Sequence, residues 1–322
     1  SMCEDKRLAQ EADLDFIVGG HEHELLQSNA GRTHISKMGS DGRNLGRIDL
    51  HLTREGLRSR FRLEAIDWWS LPVDETVQAD SEVASVIAKY EARLAQIYPG
   101  LDDKLGATTV ELDARAAVVR RGESNFGNFL ADVYRSSVGA DVALVNSGGI
   151  RSDKTYGPGD ITRRDILSIL PNKNNMVKVR VTGDRLRQLL EHSVSAAGAE
   201  DGRFPQISGM SLEYDATKPL GSRVTAVSVG GNNLDAAMKY TLAVNAYTFS
   251  GGDGYDFKKI PDSDVLVKPD EGPIDYEAVI EAIKKAGSIA PRVEGRIKGG
   301  AAGQQKPSLN PCAPTASPRR RR

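Results

Sequence analysis

Apolar residues recur at helical spacing between Val77 and Tyr98, and Pro99-Gly100 follows as a stop signal. Apolar positions three and four residues apart predict an amphipathic helix. We interpret the helix as a linker and assign residues 71–104 to it. The positions that carry the pattern are Val83, Val86, Ile87, Tyr90, Leu94 and Ile97.

Short β-rich stretches precede this helix, and glycines and an Asp-Gly turn separate them. No opening set of strands and helices is evident among them. We therefore interpret residues 1–70 as the end of a domain whose sheet partners lie upstream of residue 1. The predicted strands are 15–18, 33–36 and 46–52.

After the linker, apolar β-type runs alternate with amphipathic helical stretches, an order that predicts a compact α+β domain over residues 105–297. The predicted strands are 141–145, 176–181 and 240–244, and the predicted helices are 126–137, 184–195 and 276–286. Residues 298–322 are rich in Gly, Ala, Pro, Ser and Gln and end in four arginines, so a disordered tail is expected there.

The charge balance excludes some classes of partner. Basic residues number 43 and acidic residues 44, so no overall field favours nucleic acid. No apolar run approaches the roughly 18 to 20 residues of a membrane span. Any charged ligand must therefore be recognised locally.

The segment Gly19-Gly20-His21-Glu22-His23 follows an apolar strand. Two histidines two residues apart at a strand end can turn both rings toward one metal ion, and the glycines permit a sharp turn. A solvated or structural pair of histidines is the alternative.

A second motif, Asn146 to Arg151, follows the strand that ends near residue 145. Gly148 and Gly149 would let a ligand approach the main chain. An Asn offers a donor and an acceptor to a heterocycle, and an Arg presents a fork suited to phosphate. A tight turn with a surface arginine explains the pattern equally well.

Two further motifs suit a nucleotide. Arg120 and Arg121 precede a helix start, which is a natural anion site, although simple capping is the better interpretation for Arg121.

The last motif is Tyr247-Thr-Phe-Ser-Gly-Gly-Asp253-Gly-Tyr255. Its glycines would hold Asp253 in one orientation, and a carboxylate suits the hydroxyls of ribose. Nearby rings could stack on a base. An ordinary Gly-Asp-Gly turn is the alternative.

Taken in order, these motifs resemble the 5′-nucleotidase family over most of residues 15–257. The resemblance implies a metallophosphoesterase domain, an α/β/β/α sandwich that binds two divalent ions such as Zn or Mn. A C-terminal 5′-nucleotidase-type domain would bind the substrate. In this chain it implies the terminal strands of the sandwich and the whole C-terminal domain.

The resemblance also implies roles for individual residues. His21 and His23 become metal ligands, Arg120 and Arg151 phosphate clamps, and Asn146 a base contact. Asp253 becomes the acceptor for ribose hydroxyls. Tyr247 takes the place of a stacking phenylalanine, whereas Asn172 stands where the family commonly has its second stacking aromatic. Phe204 or Tyr255 is the candidate to replace that ring.

The function implied by the resemblance is hydrolysis of nucleoside 5′-monophosphates to nucleoside and phosphate. The catalytic residues would lie upstream of residue 1, so the chain alone is expected to be inactive. Alternatives are UDP-sugar or dinucleotide pyrophosphate hydrolysis, 2′,3′-cyclic phosphodiesterase action, or a non-catalytic nucleoside-binding or dimerisation module. A homodimer through the C-terminal domain and an extracellular, periplasmic or cell-surface location are compatible with the resemblance.

Overall fold

The structure is a computed structural model that describes residues 2–21, 23–54, 56 and 61–300. The chain divides into two compact units, one ending at Arg93 and the other beginning at Leu94. The boundary therefore lies inside the predicted linker helix.

The first unit begins with one helix and five strands. They are α1 (Met2–Glu11), β1 (Phe16–Gly19), β2 (Leu25–Ala30), β3 (Thr33–Met38), β4 (Asn44–Thr53) and β5 (Arg62–Pro72). Three of the strands form a sheet in the order β1-β3-β2, and β4 and β5 form a separate hairpin. Strand β1 runs parallel to β3, and β2 runs antiparallel to it. The central strand β3 is buried along most of its length, including Ile35.

The helix predicted between Val77 and Tyr98 is confirmed as α2 (Ser81–Ile97), and its role as a linker stays a prediction. It begins where Asp80 accepts hydrogen bonds from the backbone N–H groups of Glu82 and Val83, at 2.9 and 3.0 Å. This capping satisfies donors that the first turn of a helix leaves unpaired. No residue of α2 is buried, and its apolar stripe is exposed.

The second unit combines a five-stranded sheet with smaller sheets and several helices. Its helices are α3 (Ala116–Val119), α4 (Asn125–Ser137), α5 (Arg163–Ile169), α6 (Gly183–Ser193), α7 (Ala246–Phe249) and α8 (Asp275–Ala286). Its strands are β6 (Lys104–Thr108), β7 (Leu112–Asp113), β8 (Val142–Asn146), β9 (Thr155–Tyr156), β10 (Gly159–Thr162), β11 (Met176–Thr182), β12 (Pro205–Ser208), β13 (Met210–Asp215), β14 (Val224–Val229), β15 (Asn232–Asn233), β16 (Lys239–Asn245), β17 (Val265–Val267), β18 (Ser288–Ile289) and β19 (Ile297–Gly300).

The five-stranded sheet has the order β12-β8-β16-β11-β17. Strand β8 lies parallel to β16, and the remaining pairs are antiparallel. Alternate residues of a strand point to opposite faces. Accordingly, Ala143 and Val145 join one apolar core with α4 and α8, while Val142 and Leu144 join another with α6. Both faces of the sheet are therefore covered, which explains the uninterrupted apolar run of β8.

The expectation of a mixed α+β fold is confirmed, and each strand and helix predicted from residue 105 onward overlaps an observed element. The smaller sheet β15-β14-β13-β19 was not anticipated. Its last strand pairs in parallel with β13 as far as Gly300, so ordered structure continues past the expected boundary at residue 297. The remainder of the expected tail, 301–322, lies outside the described residues.

Candidate functional site

The parallel strands β8 and β16 lie side by side and end at the same edge of the sheet. Asn146 ends β8 and Asn245 ends β16. The Asn245 amide donates to Asn146 Oδ1 at 2.7 Å, and the Thr248 hydroxyl donates to the same oxygen at 3.1 Å. This edge therefore brings together the two predicted motifs, Asn146–Arg151 and Tyr247–Tyr255. The carboxyl ends of parallel strands are a common place for a ligand-binding crevice.

Asp253 is held at this edge from several directions. Its Oδ2 accepts from Asn146 Nδ2 at 2.6 Å, and its Oδ1 accepts from the Tyr247 hydroxyl at 2.9 Å. Its backbone N–H donates to the same Tyr247 oxygen at 3.2 Å. The residue has a φ of 51°, in the left-handed region, which Asp tolerates better than most side chains. Each carboxylate oxygen thus has one protein donor and retains acceptor capacity for another.

Asn146 is only 1% exposed, and both ends of its amide contact protein groups. In this structure the side chain orients Asp253 and ties β8 to β16. Asn245, which sequence reasoning did not select, is its partner. A signal for it was present, because both strands end in the dipeptide Val-Asn.

Gly148 belongs to a tight 3₁₀ turn, Ser147–Gly149, directly after β8. Its backbone N–H donates to the carbonyl of Gly202 at 2.8 Å. A Cβ at Gly148 would lie 3.1 Å from both Asp253 Oδ2 and Gly202 Cα, closer than most real contacts, whereas one at Gly149 would meet nothing nearer than 3.9 Å. The close approach of the turn to Asp253 thus favours glycine at position 148.

Arg120 caps the C-terminus of α3 and is 9% exposed. One terminal nitrogen donates to the Glu200 carbonyl at 3.3 Å, while Nε has no hydrogen-bond partner among the described residues. Burial lowers the pKa of this guanidinium, and the charge of Arg151 lowers it further. A buried donor with no acceptor is costly, so Arg120 is well placed to bind an anion.

Arg151 is exposed, and its backbone N–H donates to the Ile169 carbonyl at the end of α5, at 2.8 Å. The structure therefore brings both predicted phosphate clamps near each other and near Asp253, whose negative charge acts to raise the pKa of Arg120.

Two acidic residues that sequence reasoning missed, Glu200 and Asp201, also interact electrostatically with Arg120. Glu200 forms an ion pair with Arg121 at 3.1 Å. Burial acts to raise the pKa of Asp201, but hydrogen bonds from Arg203 outweigh it, and the pKa lies below its ordinary value. Glu200 thus pairs with Arg121 and Asp201 with Arg203, and both acids also act on the charge of Arg120.

Tyr247 offers the aromatic surface of the site, with 49% of its area exposed. Partial burial raises the pKa of its phenol, and the hydrogen bond to Asp253 raises it further. Phe204 and Tyr255, expected as replacements for a second ring, are each 2% exposed and belong to an apolar core. Neither ring therefore presents a free face to a base. Asn172, at the position where an aromatic residue was expected from the resemblance, is exposed.

In the first unit, His21 follows β1 with a φ of 76° and is exposed. Buried Lys37 donates to the carbonyl of Gly20 at 3.1 Å and pairs with Asp5 at 2.6 Å, which anchors the turn before His21. Within residues 2–21, 23–54, 56 and 61–300, no three His, Cys, Asp or Glu side chains form a group able to hold a metal ion. The metal role of His21 and His23 stays a prediction.

Residues 104–259 match the family model of the 5′-nucleotidase C-terminal domain. The trifunctional nucleotide phosphoesterase protein YfkN of Bacillus subtilis (strain 168) is 31% identical over 300 residues, which cover 88% of this chain and 20% of that protein. The 5′-nucleotidase of Mus musculus is 28% identical over 346 residues, covering 95% of this chain and 58% of the relative.

A solved structure supports the same assignment. The 5′-nucleotidase precursor from Thermus thermophilus matches with a TM-score of 0.76 and 26% identity, over 92% of this chain and 61% of that one. The chain contains, in residues 104–259, the C-terminal domain of the 5′-nucleotidase family. It spans less than two thirds of the length of each of these relatives. No helix in the described part of the chain is long and apolar enough to cross a membrane.

Proposed function

We propose that the second unit binds a nucleoside 5′-monophosphate, as the recognition domain of a metal-dependent phosphohydrolase. The observation that carries the proposal is the hydrogen bonding of the Asp253 carboxylate. Its two carboxylate oxygens each hold one protein donor, which leaves a paired set of acceptor positions suited to the vicinal hydroxyls of ribose.

The remaining groups suit the rest of such a ligand. The exposed ring of Tyr247 offers one stacking surface for a base. Arg120 and Arg151 offer positive charge to the phosphate, and Arg120 Nε, which has no hydrogen-bond partner in the described part of the chain, would gain an acceptor. In this proposal Asn146 orients Asp253 and does not make the contact with the base that was expected from the resemblance.

In the complete protein, we propose that the phosphate is delivered to two divalent ions such as Zn or Mn, with His21 and His23 among the ligands. Such ions would polarise the phosphoryl oxygens and generate the hydroxide nucleophile. The side chains of the second unit would orient the nucleotide for attack. A secreted, periplasmic or cell-surface setting and a homodimer through the second unit accompany this proposal as expectations from the family.

Calorimetric titration of adenosine and AMP into the chain tests the proposal. Asp253→Ala should weaken both ligands by about tenfold or more, because a hydrogen-bond acceptor carrying charge is lost. Arg151→Ala should weaken AMP by a similar factor and leave adenosine nearly unchanged, since only AMP carries phosphate. The exposed Asp262→Ala is the matched control and should bind both ligands normally.

The absence of saturable binding to both ligands, or equal binding by Asp253→Ala, would overturn the proposal. Pyrophosphate hydrolysis of UDP-sugars or dinucleotides, and action on 2′,3′-cyclic nucleotides, remain competing chemistries because most of these substrates share ribose and phosphate. Measuring how well a UDP-sugar, a dinucleotide and a 2′,3′-cyclic nucleotide each displace AMP ranks these substrates by affinity. A 2′,3′-cyclic nucleotide lacks the free diol, so strong binding of it would contradict the role given to Asp253.

A further inference from the structure

His192 lies on α6 and contacts the loop that carries Asp253. Its Nε2 lies 2.9 Å from the backbone carbonyl of Asp253. A carbonyl can only accept, so Nε2 carries the hydrogen and donates it. The ring also packs edge-on against Tyr255, with 4.8 Å between the ring centroids.

The loop needs such an anchor because its backbone is unusual. Asp253 and Gly254 both have positive φ, at 51° and 80°. A Cβ at Gly254 would lie 3.1 Å from Cε1 of His192, so the imidazole lies directly against this backbone. Backbone in this region persists only when its surroundings hold it there.

The contact sets the direction of the Asp253 side chain. The carboxylate is fixed from one side by Asn146 and Tyr247, while His192 fixes the carbonyl at the other end of the same residue. The three contacts come from β8, α7 and α6, which are separate elements. Each of them therefore restricts the orientation of Asp253.

We propose that His192 is a positioning residue for ribose recognition: it holds the Asp253 carbonyl and so presents the carboxylate to the vicinal hydroxyls of a nucleoside. This inference rests on the proposed nucleotide site. In this proposal the effect of the imidazole passes through Asp253.

The test compares adenosine with 2′,3′-dideoxyadenosine, which lacks both hydroxyls. In the full chain, His192→Leu should raise the Kd for adenosine by about tenfold, a typical effect of one lost hydrogen bond in a preorganised site. The Kd for the dideoxynucleoside should change by less than about twofold, since that ligand makes no use of Asp253. His192→Gln, which keeps a donor on a side chain of similar reach, should restore most of the affinity.

A purely structural histidine would behave differently. Equal weakening of both ligands, or no rescue by His192→Gln, would overturn the positioning role. In an Asp253→Ala background, His192→Leu should have no further effect on adenosine, and a full additional loss there would also contradict the proposal. Thermal unfolding of each variant identifies any that fails to fold, and His192→Ala takes the place of His192→Leu if the leucine variant is one of them.

The same measurements distinguish an error in the proposed nucleotide site from an error in the role of His192. If the unmodified chain binds adenosine and the dideoxynucleoside equally, or binds neither, the nucleotide site itself is wrong and the inference falls with it. A preference for adenosine that His192→Leu leaves intact would overturn only the role of His192.

Discussion

At the scale of single residues, Tyr247 departs from the phenylalanine expected by resemblance, and its hydroxyl has a definite use. It donates to the Asp253 carboxylate and accepts from the Asp253 backbone N–H. The ring remains half exposed. One side chain therefore combines a stacking face with a brace for the neighbouring acid.

Two substitutions of Tyr247 separate these contributions. Tyr247→Phe should keep the stacking face and weaken adenosine binding by no more than about thirtyfold, because two hydrogen bonds of about 1 kcal/mol each that brace Asp253 are lost. Tyr247→Ala should lose a further 1 to 3 kcal/mol, roughly the contribution of stacking on one base. Titration calorimetry of both variants measures the difference, and equal affinities for the two would contradict a stacking role.

The sequence identified most of the residues that meet at this site, because Asn146, Arg151 and Asp253 follow apolar strands in glycine-rich turns. It did not identify Glu200 or Asp201, which reach Arg120 through a loop with no periodic pattern. The sequence predicted that Asn146 contacts a ligand, because the sequence does not show which protein groups surround an amide side chain.

At the scale of elements, the 3₁₀ turn after β8 is packed against the loops that carry Gly202 and Asp253. A methyl group at Gly148 would press on a backbone atom and on a carboxylate oxygen at 3.1 Å. Neither is the free end of a flexible side chain, so the turn itself would have to move.

We therefore expect Gly148→Ala to lower the free energy of unfolding by about 1 to 3 kcal/mol, as overpacking usually does. Gly149→Ala is the matched control, because its methyl group would meet only an ordinary contact at 3.9 Å. Its effect should stay within about 0.5 kcal/mol. Urea unfolding of the two variants provides the measurement, and similar values for both would argue against the packing explanation.

The predicted strands β8, β11 and β16 were confirmed for a physical reason that operates at this scale. Strand β8 is buried along its whole length, so nearly every position is apolar, whereas β11 alternates buried valines with partly buried Lys178 and Arg180. The short strands of the β15-β14-β13-β19 sheet lack such runs and depend on partners distant in sequence. Local periodicity cannot supply those partners.

At the scale of the whole molecule, the chain has two units, and family membership rests on the second, since the matching family model lies within residues 104–259. A two-ion phosphohydrolase requires enough ligands for both metals, about four to six each. The predicted contribution of this chain is two histidines, His21 and His23.

The purified chain should accordingly release no phosphate from AMP above background, with Zn or Mn present or absent. A colorimetric phosphate assay measures this, with a complete 5′-nucleotidase as the positive control. Metal-dependent release of phosphate that His21→Ala abolishes would contradict the expectation and would show that the chain holds a working metal centre.

The left-handed backbone of Asp253 limits how this position can vary over evolutionary time. Glycine, asparagine and aspartate adopt such a φ most readily, and only aspartate adds a negative charge. A descendant sequence could therefore exchange Asp253 for Asn and keep both the left-handed backbone and an acceptor for Asn146, yet the exchange would discard the carboxylate. Recognition at this site could thus disappear from a lineage while the domain itself endured unchanged.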